Sequence, residues 1–230
     1  MAKRGKKYKQ ALSKIDKSIY NLDEAIVKVK EVSYTAFPGT IELHIRLKLA
    51  KNQDPRSIKG SITLPHSTSD KNLKIAVAVP VDAKEKALKA GADIADMAQI
   101  KQALEQGQIP FDILLAVPQM MPELAKYGRL LGPKGLMPNP KTGTVVDINN
   151  LESVIKDFKK GKTVLKVDKT GVLHVAVGKV DMEDAKILEN IKAVISAMQS
   201  ILGKSKEAFI KTIHLAPTMG PGINVNIKSL

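Results

Sequence analysis

The hydrophobic period changes kind twice along this chain, which commits it to more than one type of sheet. From Leu73 onward, short apolar runs alternate with helical patterns. Ile75–Val79 reads as a strand, Ala83–Ala90 as a helix closed by Gly91, Asp93–Ala95 as a short element and Met97–Gln106 as a helix. Ile113–Val117 follows as a strand and Met121–Arg129 as a helix. Strands that alternate with helices imply a parallel sheet covered on both faces, so this stretch predicts a small doubly wound α/β domain.

The two ends read differently. Asn21-Leu22-Asp23-Glu24 resembles a capping box, with Asn21 as N-cap and Ile26 and Val29 following on one helical face. Thr40 to Lys48 then alternates without a break: Ile41, Leu43, Ile45 and Leu47 face one way, and Thr40, Glu42, His44, Arg46 and Lys48 the other. A period of two marks a strand with one buried and one wet face, as antiparallel sheets have. Ser61–Leu64, Thr163–Val167, Val172–Val177, Phe209–Leu215 and Ile223–Ile227 are further strand candidates. Leu188, Ile191, Ile195, Met198 and Leu202 recur at helical spacing, with Gly203 placed to cap that helix. The ends therefore predict one antiparallel sheet with helices on one face. Neither end has the strands for a core alone, which implies a discontinuous α+β domain, 1–67 plus 161–230, with the α/β domain 68–160 inserted into it. Pattern alone does not separate this arrangement from two sequential domains.

Composition narrows the chemistry. A chain of 230 residues that is 43% apolar has ample material for packed cores. With no cysteine, disulfide scaffolds, thiolate zinc sites and thiol catalysis are excluded. The longest apolar stretch, Ile75 to Val81, is interrupted by Pro80 and is far short of the ~20 residues of a membrane span. The basic N-terminus, Met1 to Lys9, leads into no apolar segment of the secretory type, so a soluble cytoplasmic protein is expected. The net charge of +14 calls for a polyanionic partner, and it is lopsided: 68–160 carries 13 basic and 11 acidic residues, whereas the two ends carry 24 and 12.

No catalytic constellation stands out. The basic segment Gly128–Thr144 contains Gly, Lys and Thr, but Lys141-Thr142 follows Pro140, which has no N–H to offer a phosphate, so it is no P-loop. Ile75–Val79 runs into Pro80-Val81-Asp82 without the glycines of a dinucleotide fingerprint. A long, proline-stiffened surface loop remains, either a rigid connection or a binding loop. His44, His174 and His214 lie in expected strands and His66 in a linker, with no ligand spacing among them, so they read as satisfied or solvent-facing and no metal is expected. Asp93, Asp96, Glu183 and Asp184 read as turn and helix-start acids. The wet face of Thr40–Lys48 and the turn Thr218-Met219-Gly220-Pro221-Gly222 offer a coherent binding surface, since glycine lets a backbone approach closely and Thr218 can bond phosphate or ribose. Glu42 suits RNA, where a carboxylate accepts from guanine or a 2′-OH. Only 8 aromatic residues argue against a base-stacking sheet and for recognition by shape, sugar and phosphate.

At these residues the chain resembles the bacterial-type large-subunit ribosomal proteins of the L-one family, over essentially its whole length. The resemblance rests on Leu64-Pro65-His66, Gly91-Ala92-Asp93, Phe111-Asp112, Leu131-Gly132-Pro133-Lys134-Gly135-Leu136-Met137-Pro138-Asn139-Pro140-Lys141, Asp168-Lys169-Thr170-Gly171 and Thr218-Met219-Gly220-Pro221-Gly222. It implies two domains, the second inserted into the first, joined by a two-stranded hinge. The two linkers crossing at Pro65–Ser67 and near Lys160–Lys162 form a natural hinge, on which the domains are expected to move. The resemblance also implies binding to large-subunit rRNA at the mobile stalk beside the tRNA exit site, help in releasing deacylated tRNA, and repression of the chain's own operon mRNA. The implied partners are thus the ribosome, rRNA, that mRNA and, transiently, exit-site tRNA, with no membrane, no cofactor, no catalysis and a monomeric free state. Carried over by position, Phe37 and Met219 pack on sugars or bases, and Thr40, Thr212 and Thr218 bond 2′-OH or phosphate groups. Glu42 and Asp168 accept, Arg46 and Lys166 neutralise phosphate, and Gly220 completes the turn. Arg129, Lys134 and Lys141 on the inserted domain are assigned a secondary rRNA or tRNA contact. Many relatives carry an acidic pair after the phenylalanine, whereas here Pro38-Gly39 follows Phe37 and bears on how it is aimed. The competing readings are a nucleotide-binding module or enzyme centred on 68–160, and a non-specific basic RNA chaperone.

Overall fold

The computed structural model describes residues 5–49, 54–68, 73–107 and 109–230. It forms two compact units, Met1–Ser69 with Thr163–Leu230, and Asp70–Lys162. The Met1–Arg4 part of the basic N-terminus lies outside the described residues. The first unit opens with α1 (Lys6–Ser13), α2 (Leu22–Glu31), β1 (Thr40–Leu47) and β2 (Lys59–Thr63). The second holds β3 (Ile75–Ala78), α3 (Lys84–Lys89), α4 (Met97–Glu105), β4 (Ile113–Ala116), α5 (Met121–Ala125), α6 (Gly128–Leu131) and α7 (Leu151–Lys159). The chain then continues through β5 (Lys162–Lys166), β6 (Val172–Lys179), α8 (Asp184–Leu202), α9 (Lys206–Phe209), β7 (Ile210–Pro217) and β8 (Ile223–Val225).

In the first unit four strands form an antiparallel sheet in the order β6-β1-β7-β8. The alternation of β1 is realised: Ile41, Leu43, Ile45 and Leu47 are buried, and Thr40, Glu42, His44 and Arg46 point to the other face. Those four apolar side chains share a core with Ile26 and Val29 of α2 and with Ile187, Ile191, Val194 and Met198 of α8. Each contributes about 1.5–3 kcal/mol of apolar transfer on burial, so β1 is anchored from below and its upper face is free to be polar. Lys30 ties α2 to α8 through Asp184. Gly203 ends α8 in the left-handed region at φ 62°, its N–H bonded to the Gln199 carbonyl, as its position predicts.

Two expectations for this unit are corrected. The terminal strands make two sheets instead of one, because β2 and β5 pair with each other. The reason lies at the Asp168–Gly171 turn, where β5 meets β6 through the single bridge Val167 to Leu173 while Val167 N–H is spent on Ile58 O of the β2 side. The capping box at Asn21 does not form either. Asn21 occupies the N-cap position without a side-chain cap bond, the Leu22 N–H goes to Ser229 Oγ at 3.0 Å, and Glu24 bonds Lys17 at 2.9 Å. The far end of the chain supplies an acceptor for the first helical N–H, and Lys17 engages the Glu24 carboxylate that a capping box would turn back onto the Asn21 N–H.

In the second unit β3 and β4 pair in parallel, with Ile94 bridging to Ala76 and Val145 to Ala116. The short element expected at Asp93–Ala95 is a single bridge. Both faces are covered. Ile75, Val77 and Leu115 pack with Ala87 of α3 and Ile155 and Phe158 of α7. Ala76, Ala78, Leu114 and Ala116 pack with Ile100 and Leu104 of α4, Leu124 of α5 and Leu131 of α6. A strand covered on both sides reads as an unbroken apolar run, which is why β3 does. The helix expected over Met121–Arg129 is split into α5 and α6, after a 3₁₀ turn at Pro118–Met120, and the break falls at Tyr127 (ψ 9°). Asp96 caps α4 by accepting from the Ala98 N–H at 2.9 Å, and Asp93 accepts from the Ile75 N–H at 2.8 Å, so both acids take the roles expected of them.

Candidate nucleic-acid interface

The helices of the first unit share a core with the buried face of the sheet, leaving the opposite face for a partner. Register decides what that face presents. Glu42 lies between Ala176 of β6 and Ala216 of β7, so its carboxylate stands above two methyl groups and is open to approach. Arg46 lies between Val172 and Thr212. Between them, His44 is flanked by His174 and His214, and Asn224 of β8 follows beyond His214. Period-two reasoning puts Glu42, His44 and Arg46 on one face. That His174, His214 and Asn224 complete a row with His44 was not visible, because it depends on strand order and register.

One end of this sheet is built around the Pro217–Gly220 turn. The Thr218 N–H bonds Thr40 O at 2.9 Å, the Thr218 hydroxyl oxygen accepts from the Thr40 N–H at 2.9 Å, and its own proton goes to Thr40 O at 3.2 Å. Thr218 therefore fixes the turn to the start of β1, and any contact with a ribose or phosphate is additional to that work. Met219 has φ 62°, a conformation that costs a non-glycine residue roughly 1–2 kcal/mol, and its side chain is 71% exposed. The Tyr34 hydroxyl holds it by donating to the Met219 carbonyl at 2.6 Å. Gly220 has to be glycine, because a Cβ would lie 2.5 Å from Pro217 Cγ. Phe37 is also exposed, at 54%, with its carbonyl held by the Thr35 hydroxyl at 2.9 Å. Pro38 is exposed and Gly39 is buried, the Gly39 carbonyl accepting from Val180 N–H, so the Pro38-Gly39 pair anchors the chain behind Phe37 and leaves the ring in solvent.

At the β5–β6 turn, Asp168 accepts from the backbone N–H groups of Thr170 at 2.9 Å and Val172 at 2.8 Å, and from the Thr170 hydroxyl. These bonds, the Val172 N–H foremost, hold its carboxyl below the usual carboxylate range. Asp168 thus builds the turn, and its Oδ2, which also accepts from the Thr170 hydroxyl at 2.7 Å, faces His174. Lys166 is exposed on β5. Thr40, Glu42, Arg46, Asp168, Thr212, Thr218, Met219 and Gly220 therefore belong to one sheet face and its loops, with Phe37 on the segment entering β1. Tyr34, which positions Met219, had no sequence signal.

Arg129, Lys134 and Lys141 belong to the second unit and are exposed there, not on this sheet. The segment that carries them is less loop-like than expected, since Gly128–Leu131 is helical and Pro140–Thr142 is a 3₁₀ turn. Its polar anchor is buried: the Asn139 N–H bonds Thr144 Oγ1 at 2.8 Å, and the Thr142 and Thr144 hydroxyls meet at 2.9 Å. The anchor holds the backbone while Lys134 and Lys141 stay in solvent. His66 is tied within the first unit, its ring 2.7 Å from Glu189 and its backbone bonded to Asn190.

The family model described as the ribosomal protein L1p/L10e family matches residues 29–221. Among curated proteins, the chain is similar to the large ribosomal subunit protein uL1 of Chloroflexus aggregans, 40% identical over 99% of this chain and 97% of that one. The motifs that carry the resemblance, from Leu64-Pro65-His66 to Thr218-Met219-Gly220-Pro221, lie inside the matched span, and the chain belongs to the ribosomal protein L1p/L10e family.

Proposed function

We propose that this chain is a structural component of the large ribosomal subunit that binds large-subunit rRNA through the outer face of its four-stranded sheet, with Lys166 contributed from β5 of the two-stranded sheet. The observation that carries this reading is Met219, a large apolar side chain held exposed on a strained backbone by Tyr34 and the Thr218–Thr40 bonds. Strain held at an exposed position by surrounding hydrogen bonds points to a functional contact. Phe37 and Met219 pack on sugars or bases at one end of the sheet, Arg46 and Lys166 neutralise phosphates, and Glu42 accepts from a base or a 2′-OH. The name of the similar relative supports placement in the large ribosomal subunit. Binding at the mobile stalk, release of deacylated exit-site tRNA and repression of the chain's own operon mRNA follow from the family resemblance. Arg129, Lys134 and Lys141 serve the secondary contact with rRNA or tRNA, and the protein works without catalysis or cofactor.

A footprint of the full chain on total rRNA tests the reading, with protection of one compact stalk region expected and diffuse protection counting against it. Arg46→Gln is expected to weaken binding to a stalk rRNA fragment and to flatten the dependence of log affinity on log salt by about 0.7–0.9. Salt titrations from 50 to 300 mM on both proteins measure this, and parallel slopes would remove Arg46 from the phosphate contacts.

A further inference from the structure

The histidines across the centre of the sheet are left unused by the family's site residues. His44 Nδ1 and His174 Nδ1 are 2.7 Å apart, with ring centroids at 4.9 Å and planes at 68°. A contact between two ring nitrogens at that distance holds one proton, because one ring has to donate and the other accept. The outer nitrogens face acids. His44 Nε2 lies 3.7 Å from Glu42 Oε2, and His174 Nε2 lies 3.8 Å from Asp168 Oδ2. Carboxylate, imidazole, imidazole and carboxylate therefore run in one line over β1, β6 and the turn before β6.

His214 lies on the other flank of His44, and Asn224 lies beyond it. The charged and titratable groups facing the row are Glu42 and Arg46 on β1, His174 on β6, His214 on β7 and Asp168 at the β5–β6 turn. β8 adds only the neutral amide of Asn224. In the free protein, burial and then the neighbouring His174 push His44 below the ordinary histidine value, and burial does the same to His214. Both rings are thereby biased toward the neutral form. A polyanion laid across them reverses the balance, since a nearby opposite charge favours the protonated ring.

We propose that the row His174, His44, His214 and Asn224 is a proton-responsive part of the RNA-reading surface, where RNA binding is coupled to proton uptake by His44 and His214, His174 holds the His44 ring in place, and Asn224 offers its amide to a base edge or a 2′-OH. The inference rests on the RNA-binding reading above. Its sign follows from linkage. The RNA-bound form holds more protons than the free form, so affinity rises as pH falls through the histidine range, by at most about tenfold per pH unit for each proton taken up. Stability of the free protein moves the opposite way. His44 and His214 are depressed when folded, so their contribution is present above the unfolded value of about 6.5 and is lost as pH falls through the lower folded value.

The test is the affinity of the full chain for a stalk rRNA fragment from pH 8.0 to 5.5 at fixed ionic strength. The native protein, His214→Gln, a variant with His44→Gln, His174→Gln and His214→Gln together, and a His66→Gln control are compared. Native affinity is expected to rise about 5- to 30-fold between pH 7.5 and 5.5, with His66→Gln following it. His214→Gln should shrink the rise and the triple variant should abolish it. A flat native profile, or a rise that survives in His214→Gln and the triple variant alike, overturns the proposal. The native profile alone decides the matter if the triple variant does not fold. Native protein that binds the fragment at no pH even in low salt instead overturns the RNA-binding reading itself, so the two failures are distinct. A thermal-melt series gives a second readout: the rise in Tm produced by RNA should grow as pH falls, and a pH-independent rise counts against proton uptake.

Discussion

Replacing Met219 with alanine is expected to weaken RNA binding by about 10- to 100-fold, the loss of one apolar contact of roughly 1–3 kcal/mol with a base or sugar. The same change should leave folding nearly untouched, within about 0.5 kcal/mol, because a 71% exposed side chain buries little in the free protein. Met219→Gly separates the two effects further. It removes the side chain and also relieves the φ of 62°, so it should hold or raise stability by up to about 1 kcal/mol while losing the same affinity. Chemical denaturation and direct titration of a stalk rRNA fragment, run on both variants, measure the pair. Wild-type affinity in Met219→Ala would show that the strained turn serves something other than an RNA contact.

The second large effect is expected at a residue with no part in binding. Asn190 is fully buried in α8 and makes three hydrogen bonds: it donates to His66 O at 3.0 Å and Val177 O at 2.9 Å, and accepts from the His66 N–H at 3.0 Å. It thereby pins the Pro65–Ser67 crossing to the helix that covers the sheet. Leucine matches its size and surroundings but strands these backbone groups, so Asn190→Leu should destabilise the first unit by about 2–4 kcal/mol. Denaturant unfolding of the full chain followed by helix signal checks this. A loss under about 1 kcal/mol would mean that the crossing finds other partners.

Much of the architecture was legible because it rests on local periodicity. The alternation of Thr40–Lys48 gave both the buried face of β1 and the outward set Thr40, Glu42 and Arg46. The apolar run at Ile75 marked a strand covered on two sides, and Gly203 marked a helix end. Local reasoning failed wherever a distant part of the chain competed for the same group. Lys17 engaged the Glu24 carboxylate that the capping box needs while Ser229 took the Leu22 N–H at the helix start, and Ile58 took the Val167 N–H and divided the terminal strands into two sheets.

The candidate site divides along the same line. Its residue types and its faces follow from sequence, since side chains in a strand alternate by geometry and need no partner to do so. Which side chains meet across strands follows only from order and register, and these are set by the packing of the whole sheet against α2 and α8. So the excess positive charge on the two ends of the chain already pointed to a polyanion, and the wet face of β1 already pointed to RNA. The fixing of Met219 by Tyr34, the commitment of Thr218 and Asp168 to holding their own turns, and the meeting of His44 with His174 were decided by tertiary structure, because each joins groups that lie far apart in the sequence or depends on how a turn closes.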